Sequence, residues 1–389
     1  MKTNWQTKKL GEICDFYNGL WKGKKPPYIE VGVIRNTNFT KDGDLNDSDI
    51  AYLEVEKKQF ENRKLTYGDI ILEKSGGGPK QPVGRVVVFN KKEGDFSFSN
   101  FTSAIRVKKS SELDFNFLHR FLFFSYISGI TEKMQSHSTG IRNLDSKLYK
   151  NIEIPFPPLP EQHRIVKILD EVFADVTKAK ENAEKNLQNA KELFESFLQS
   201  VFVNSEKGWE KKRLIDVCKE IIAGGDKPKD YFSKFKTDTF QIPIFSNGIK
   251  SEGLYGYTNI ARIKKPSITI SARGTIGYSV IRKEAFFPII RLIVLTPNDD
   301  LIDLDFLHYS IKSNSIIGNG TSIPQLTVPA VKKIKILLPK SLKNQKLIVK
   351  RLDELSNQTK KLEAIYKQKL IDLEELKKSV LKKAFEGEL

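Results

Sequence analysis

The sequence predicts an α+β chain: two tandem α/β units, each followed by a long α-helix. Three observations lead there. The helix opening LPEQHRIVKILDEV (159–172) returns as LKNQKLIVKRLDEL (342–355), 183 residues later. Shorter matches precede both openings in the same order. After each opening, apolar residues recur at alternating steps of four and three over roughly 40 residues, without internal Pro or Gly.

The repeat covers most of the chain. Trp5, Leu10 and Cys14 match Trp209, Leu214 and Cys218 at an offset of 204. GDIILEKSG (68–76) matches PSITISARG (266–274) at 198, and DFNFLH (114–119) matches DLDFLH (303–308) at 189. TGIRNL (139–144) and IEIPFP (152–157) match TSIPQL (321–326) and IKILLP (334–339), both at 182. An offset that drifts where loops change length marks two copies of one fold. The expected boundaries are a first unit at 1–150, a helical region at 151–205, a second unit at 206–335 and a second helical region at 336–389.

Within the first unit, YIEVGVI (28–34), DIILEK (69–74), GRVVVF (84–89) and TSAIRV (102–107) read as strands, and DFNFLHRFLFFSYI (114–127) as a buried helix. The second unit repeats the order with SITISA (267–272), YSVI (278–281), RLIVLT (291–296) and DFLHYSI (305–311). In the first long helix, the seam runs Ile165, Leu169, Val172, Val176, Ala179, Ala183, Asn186, Ala190, Leu193 and Phe197; its copy ends Leu362, Tyr366, Lys369, Leu373, Leu376 and Val380. The polar slot at Asn186 and Lys369 has two readings. It fixes register within a strict heptad, or the seam shifts locally onto Leu187 and Leu370. Two stripes of this length would bury each other; either polarity is topologically open, and an antiparallel pair would relate the units by a pseudo-twofold axis.

The chain of 389 residues carries a net charge of +17. Residues 1–159 hold +6, 160–205 hold −2, 206–342 hold +9 and 343–389 hold +4. A basic excess concentrated outside the first helix points to a polyanion, nucleic acid first, meeting the globular units. No apolar run reaches membrane-spanning length, and MKTNWQTKKLGEIC has no signal-like apolar core, so a cytoplasmic protein is expected. The two cysteines, Cys14 and Cys218, have no CxxC spacing and read as small buried hydrophobes.

EKSGGGPKQPVGR (73–85) lies between two expected strands. Glycines admit close backbone approach. Lys74, Ser75, Lys80 and Arg85 suit phosphates or base edges, and Gln81 suits adenine; an ordinary hairpin loop is the alternative. The string is no Walker loop. SARGTIG (271–277) is its counterpart, with Arg273 and Thr275 as candidates against a structural turn. Arg35, Asn36 and Asn38, then Ser246, Asn247, Lys250 and Tyr257, fall on expected loops, where Asn-Gly is also a plain turn signal. HSTGIRN (137–143) and NGTSIPQ (319–325) add Arg142 and Gln325. His119 and His308 sit at matched positions in apolar helices and read as core histidines. No nucleophilic triad or metal cluster stands out.

The junctions GIRNLDSKLYKNIEIPFPPLPEQHRIVKILDEV and SIPQLTVPAVKKIKILLPKSLKNQKLIVKRLDEL, with ISARGTIGYSVI and the ending LKKSVLKKAFEGEL, resemble type I restriction–modification specificity subunits across essentially the whole chain. The second junction departs from the pattern, with Asn344 where the first has Glu161. The resemblance implies two target-recognition domains, each reading half of a split, asymmetric DNA site. It implies helices paired as an antiparallel coiled coil that sets the gap. It also implies two adenine-methyltransferase subunits and ATP-dependent restriction subunits as partners, with S-adenosylmethionine, ATP and Mg on those partners and none on this chain. Two other classes compete. A lone DNA methyltransferase would need an Asn/Asp-Pro-Pro-aromatic motif, and KPPY (25–28) has Lys in the amide position. A protein-binding coiled-coil adaptor would not explain the basic excess, and steep salt dependence of DNA binding separates it from the first reading.

Overall fold

A computed structural model describes residues 5–21, 23–78, 81–136, 140–203, 208–314 and 325–389. The chain forms two compact units that divide both long helices between them: residues 1–183 with 368–389, and residues 184–367. Each unit therefore holds one end of each helix.

In the first unit, a four-stranded antiparallel sheet runs in the order Cys14–Asn18, Thr102–Val107, Ile70–Glu73, Val86–Val88. Its central strands are apolar runs: Ile70, Ile71 and Ile105 are wholly buried. A three-stranded sheet places Tyr28–Ile34 between Ala51–Glu56 and Phe96–Phe98, the last pairing parallel. Gln6–Lys9 pairs with Glu153–Phe156, so the segment before the helix is closed by the start of the unit. The helix Phe115–Ile127 is capped by the Asp114 carboxylate, which accepts from the Phe117 amide at 2.9 Å.

The second unit repeats this plan. Its four strands run Cys218–Ala223, Ile293–Pro297, Ser267–Ile270, Ser279–Arg282, and its three run Leu254–Thr258, Ile242–Phe245, Phe287–Pro288. Trp209–Arg213 pairs with Lys335–Pro339 as the closing ribbon. Asp303 caps the helix Leu304–Ser313 as Asp114 caps its counterpart.

The long helices span Leu159–Val203 and Leu342–Glu386, 45 residues each, or about 67 Å at ~1.5 Å per residue. In the first unit, Ile165, Leu169 and Phe173 share a core with Leu381, Ala384 and Phe385. The beginning of one helix thus meets the end of the other, and they run antiparallel. Phe385 meets Phe121 edge-to-face at 5.1 Å. In the second unit Leu198 and Phe202 share the core with Val349 and Leu352, and Phe202 packs on Phe306 at 5.4 Å.

The seam departs from a strict heptad. Asn186 and Lys369 are exposed, while Leu187 and Leu370 are half-buried. Ala190 stays buried at its heptad position, but beyond it the shift holds: Leu193 is 50% and Phe197 36% exposed while Leu198 is buried, and in the other helix Leu376 is 46% exposed while Lys377 is buried. Of the two readings of the polar slot, the shifted seam is the one adopted. An unstrained helix turns every ~3.6 residues, so a seam counted at 3.5 slips by one residue over this length.

The junction glutamines explain why the helix opening recurs. Gln162 is fully buried. Its Nε2 donates to the carbonyls of Pro157 at 2.8 Å and Glu112 at 2.9 Å, and its Oε1 accepts from the Asp114 amide at 2.8 Å. Gln345, equally buried, donates to Pro339 at 3.0 Å and Leu301 at 3.1 Å and accepts from the Asp303 amide at 2.8 Å. One side chain clamps the long helix to the cap of the buried helix in both copies. Glu161 instead pairs with Arg164 at 2.7 Å on the surface, which is why Asn344 can replace it without loss of the clamp.

Candidate nucleic-acid interface

In the first unit, the loop after Tyr28–Ile34 and the glycine loop after Ile70–Glu73 face each other across a cleft of about 780 Å³. Asn36, Thr37, Phe39, Glu73, Gln81 and Arg85 line it, with Gly76–Gly78 along one wall. The wall demands glycine: Gly76 has φ +96°, and a Cβ on Gly77 would stand 2.6 Å from the Gln81 carbonyl oxygen.

Glu73 is 1% exposed and forms the floor. Arg85 donates to it through Nε at 2.7 Å and Nη2 at 2.9 Å, and Asn36 Nδ2 donates at 3.2 Å. Arg85 also donates to the carbonyls of Asn36 at 3.1 Å and Phe39 at 3.2 Å. The guanidinium is therefore spent on shaping the cleft. Burial would lower its pKa, but the Glu73 carboxylate prevails and raises it. With its amide oxygen facing inward, Gln81 accepts from Arg85 Nη2 at 2.9 Å.

The rim joins two segments nominated separately from sequence. Arg142–Leu144 pairs antiparallel with Ser75–Gly77. Ser75 Oγ donates to Asn143 Oδ1 at 2.5 Å. Arg142 reaches Glu132 at 3.0 Å. Lys74 donates to Asn18 Oδ1 at 3.1 Å, and its partial burial lowers the ammonium pKa. Arg35 turns away toward Asp49, 3.3 Å from its carboxylate. Buried Asn38 holds its own loop through the carbonyls of Asn46 and Asp49. Lys80 lies outside the described residues.

In the second unit, Arg273 donates through Nε at 3.1 Å and Nη2 at 2.7 Å to Gln325 Oε1. Two side chains from distant segments thus form one exposed pair. Asn247 braces the turn beneath them: its Oδ1 accepts from the Ala272 amide at 2.7 Å and its Nδ2 donates to Ile290 O at 2.7 Å. Asn36 and Asn247 therefore follow corresponding strands and tie the same two loops together in each copy. Thr275 has its amide on Arg273 O at 2.9 Å, while its hydroxyl is buried without a partner among the described residues. Lys250 stands exposed on the turn Lys250–Gly253, whose Gly253 carbonyl accepts from the Ser246 amide at 2.8 Å. Tyr257 belongs to the strand Leu254–Thr258.

Sequence reasoning missed one turn in each unit. Phe101, 47% exposed, accepts through its carbonyl from the amides of Lys74 and Ser75. Strand register places Arg291 at the corresponding position, since Ala104 opposes Ile71 and Val294 opposes Thr269. Ile290 and Arg291 have φ of +52° and +57°, a strained conformation for L-residues. Neither turn carries a glycine or a motif that would mark it.

His119 is buried, with Nε2 3.4 Å from Val86 O, and burial pushes its pKa down to about 3. His308, 3.1 Å from Ser279 O, is pushed down to about 4 by the same cause. Both are neutral, but only His119 is a core histidine; His308 is half-buried. Burial likewise raises Cys14 and Cys218 to about 12, so both thiols stay protonated. Among the described residues no cluster of His, Cys, Asp or Glu fits a metal, and no helix is long and apolar enough to cross a membrane.

Comparison with known proteins agrees with this arrangement. The family described as type I restriction modification DNA specificity domain matches residues 2–186 and 206–372. A Mycoplasma pneumoniae protein provisionally named as a type I specificity subunit is 30% identical over 69% of this chain and 71% of its own length. The MjaVIII type I restriction enzyme specificity subunit of Methanocaldococcus jannaschii is 24% identical over 99% of this chain and 93% of its own. A solved chain from a study of assembly and conformational transition in a type I restriction–modification system superposes with a TM-score of 0.82 at 20% identity, covering 99% of this chain and 98% of the other. The HsdS subunit of Thermoanaerobacter tengcongensis superposes with a TM-score of 0.67 at 20% identity, over 99% and 97%. At that identity the structures speak for the fold. Matched in both halves, the chain belongs to the type I restriction–modification DNA specificity family, as a DNA-binding, non-catalytic subunit that works with the other subunits of such a system.

Proposed function

We propose that each globular unit reads one half of a bipartite, asymmetric DNA site, and that the paired helices set the gap and dock two adenine-methyltransferase subunits. Restriction subunits join the same assembly. S-adenosylmethionine, ATP and Mg belong to those partners, and this chain binds none of them. The observation that carries the reading is the duplicated polar loop pair. In each unit an Asn-bearing loop is tied to a glycine-containing loop that presents Arg, Lys or Gln side chains, and the two sets differ in sequence. The first has Asn36, Lys74, Ser75 and Gln81 around Glu73; the second has Arg273 with Gln325. Two similar frames carrying different side chains suit two different half-sites.

Phosphate contacts release counterions, so affinity for duplex DNA falls steeply with salt. Titration of labelled duplex between 50 and 200 mM salt tests this. The proposal predicts a loss of about a thousandfold, given on the order of six phosphate contacts. A flat response would favour the protein-binding adaptor.

A further inference from the structure

The two copies differ where the buried helix meets the long helices. In the first unit this place is filled by the chain itself. The segment from Phe39 to Leu45 folds back as a small hairpin, and its Gly43 backbone sits so close to the Phe123 ring that a Cβ would stand 2.8 Å from it. At its tip Asp42 meets Lys377 Nζ at 2.6 Å. Lys377 is 7% exposed and lies over the Phe123 and Phe173 rings at 5.1 and 4.8 Å. Arg120 also lies over the Phe173 ring, at 4.9 Å, and pairs with Asp170 at 2.8 Å.

The repeat offsets carry these residues onto the second unit. Phe173 becomes Ser356, Phe123 becomes Lys312, Arg120 becomes Tyr309 and Asp170 becomes Asp353. Tyr309 donates to Asp353 at 2.6 Å, which keeps the polar contact. The hairpin has no counterpart: sixteen residues separate the strands ending at Ile34 and starting at Ala51, but eight separate Phe245 from Leu254. What remains is an open crevice of about 480 Å³, lined by Phe194, His308, Tyr309, Lys312, Ser356 and Lys360 among others. Neither Lys312 nor Lys360 has an ion-pair partner among the described residues, and burial, with the Lys360 charge nearby, lowers the Lys312 ammonium pKa.

We infer that this crevice receives an acidic turn of a partner polypeptide, which supplies to the second unit what the Asp42 hairpin supplies to the first. The intramolecular example argues for a carboxylate-bearing turn, which would meet Lys312 and Lys360; of the acids that also line the crevice, Glu363 is already paired with Lys367 at 3.2 Å and Asp353 already accepts from Tyr309. The inference rests on the reading that a methyltransferase subunit assembles on this chain, and it makes the second unit the more charge-dependent docking site.

The test measures assembly of the full chain with its cognate methyltransferase subunit, without DNA, by fluorescence anisotropy. Wild type establishes the parent reading; failure of wild type to bind overturns that reading and the inference with it. The doubly reversed variant Lys312→Glu/Lys360→Glu is compared with the charge-matched control Lys58→Glu/Lys147→Glu. Ser356→Phe fills the crevice as Phe173 does and serves as a variant without charge change. The inference predicts that the reversed variant and Ser356→Phe each bind at least about tenfold more weakly, with the control within about twofold and all melting temperatures near wild type. Wild-type affinity in both crevice variants overturns it. Unchanged assembly with weakened DNA binding also overturns it, by identifying the crevice as a phosphate site.

Discussion

Arg273 and Arg85 show how two arginines on matched loops take opposite roles. Arg85 is locked on a carboxylate that is 1% exposed, whereas Arg273 rests on the neutral Gln325 amide at the surface. Removing Glu73 would strand a buried cation; removing Arg273 leaves nothing buried unpaired. Arg273→Ala should therefore fold normally and weaken specific DNA binding by about 1–3 kcal/mol. Competition between half-site variants checks this, with the loss confined to bases in one half. His119 and His308 give a pH prediction. Both have folded pKa values below the ordinary 6.5, at about 3 and about 4, because burial disfavours the imidazolium. The unfolded chain binds more protons, so their contribution is fully present above about pH 6.5 and erodes as pH falls toward the folded values. Urea midpoints should drop between pH 7 and pH 5, and His119→Gln/His308→Gln should flatten that slope.

At the level of elements, the clamp and the seam each make a prediction. Gln162→Leu leaves the Asp114 amide and the carbonyls of Glu112 and Pro157 without their partner. A loss of about 2–5 kcal/mol in chemical denaturation is expected, because each buried orphan costs roughly 1–3 kcal/mol. Leu198→Ala should cost a similar amount, while Leu193→Ala should stay within about 0.5 kcal/mol. The strict-heptad seam would predict the reverse. Much of this was legible in the chain: strand Thr102–Val107 and the helix Phe115–Ile127 fall where apolar patterning predicts them. Beyond Ala183 the sequence left two seams open, because heptad counting and the natural helical turn diverge only over several turns. The candidate site was half legible. Glycine loops and Arg/Gln side chains mark themselves locally, but the pairing of Ser75–Gly77 with Arg142–Leu144 is long-range. Only the structure distinguishes Arg85 facing inward from Arg273 facing outward.

For the whole molecule, duplication explains composition and repeat together. The basic excess lies outside the first helix, in the segments 1–159, 206–342 and 343–389. The two junction glutamines seat both long helices in the same way. The central claim is that two units read two independent half-sites. It is tested most directly by co-expressing the chain with its methyltransferase subunit in a methylation-free host and mapping adenine methylation across the genome, for wild type and for a chain with residues 1–150 exchanged for those of another family member. The account predicts a split, asymmetric motif with a fixed gap, of which the exchange alters one half and leaves the other half and the gap unchanged. A contiguous motif, or an exchange that changes both halves, would contradict it.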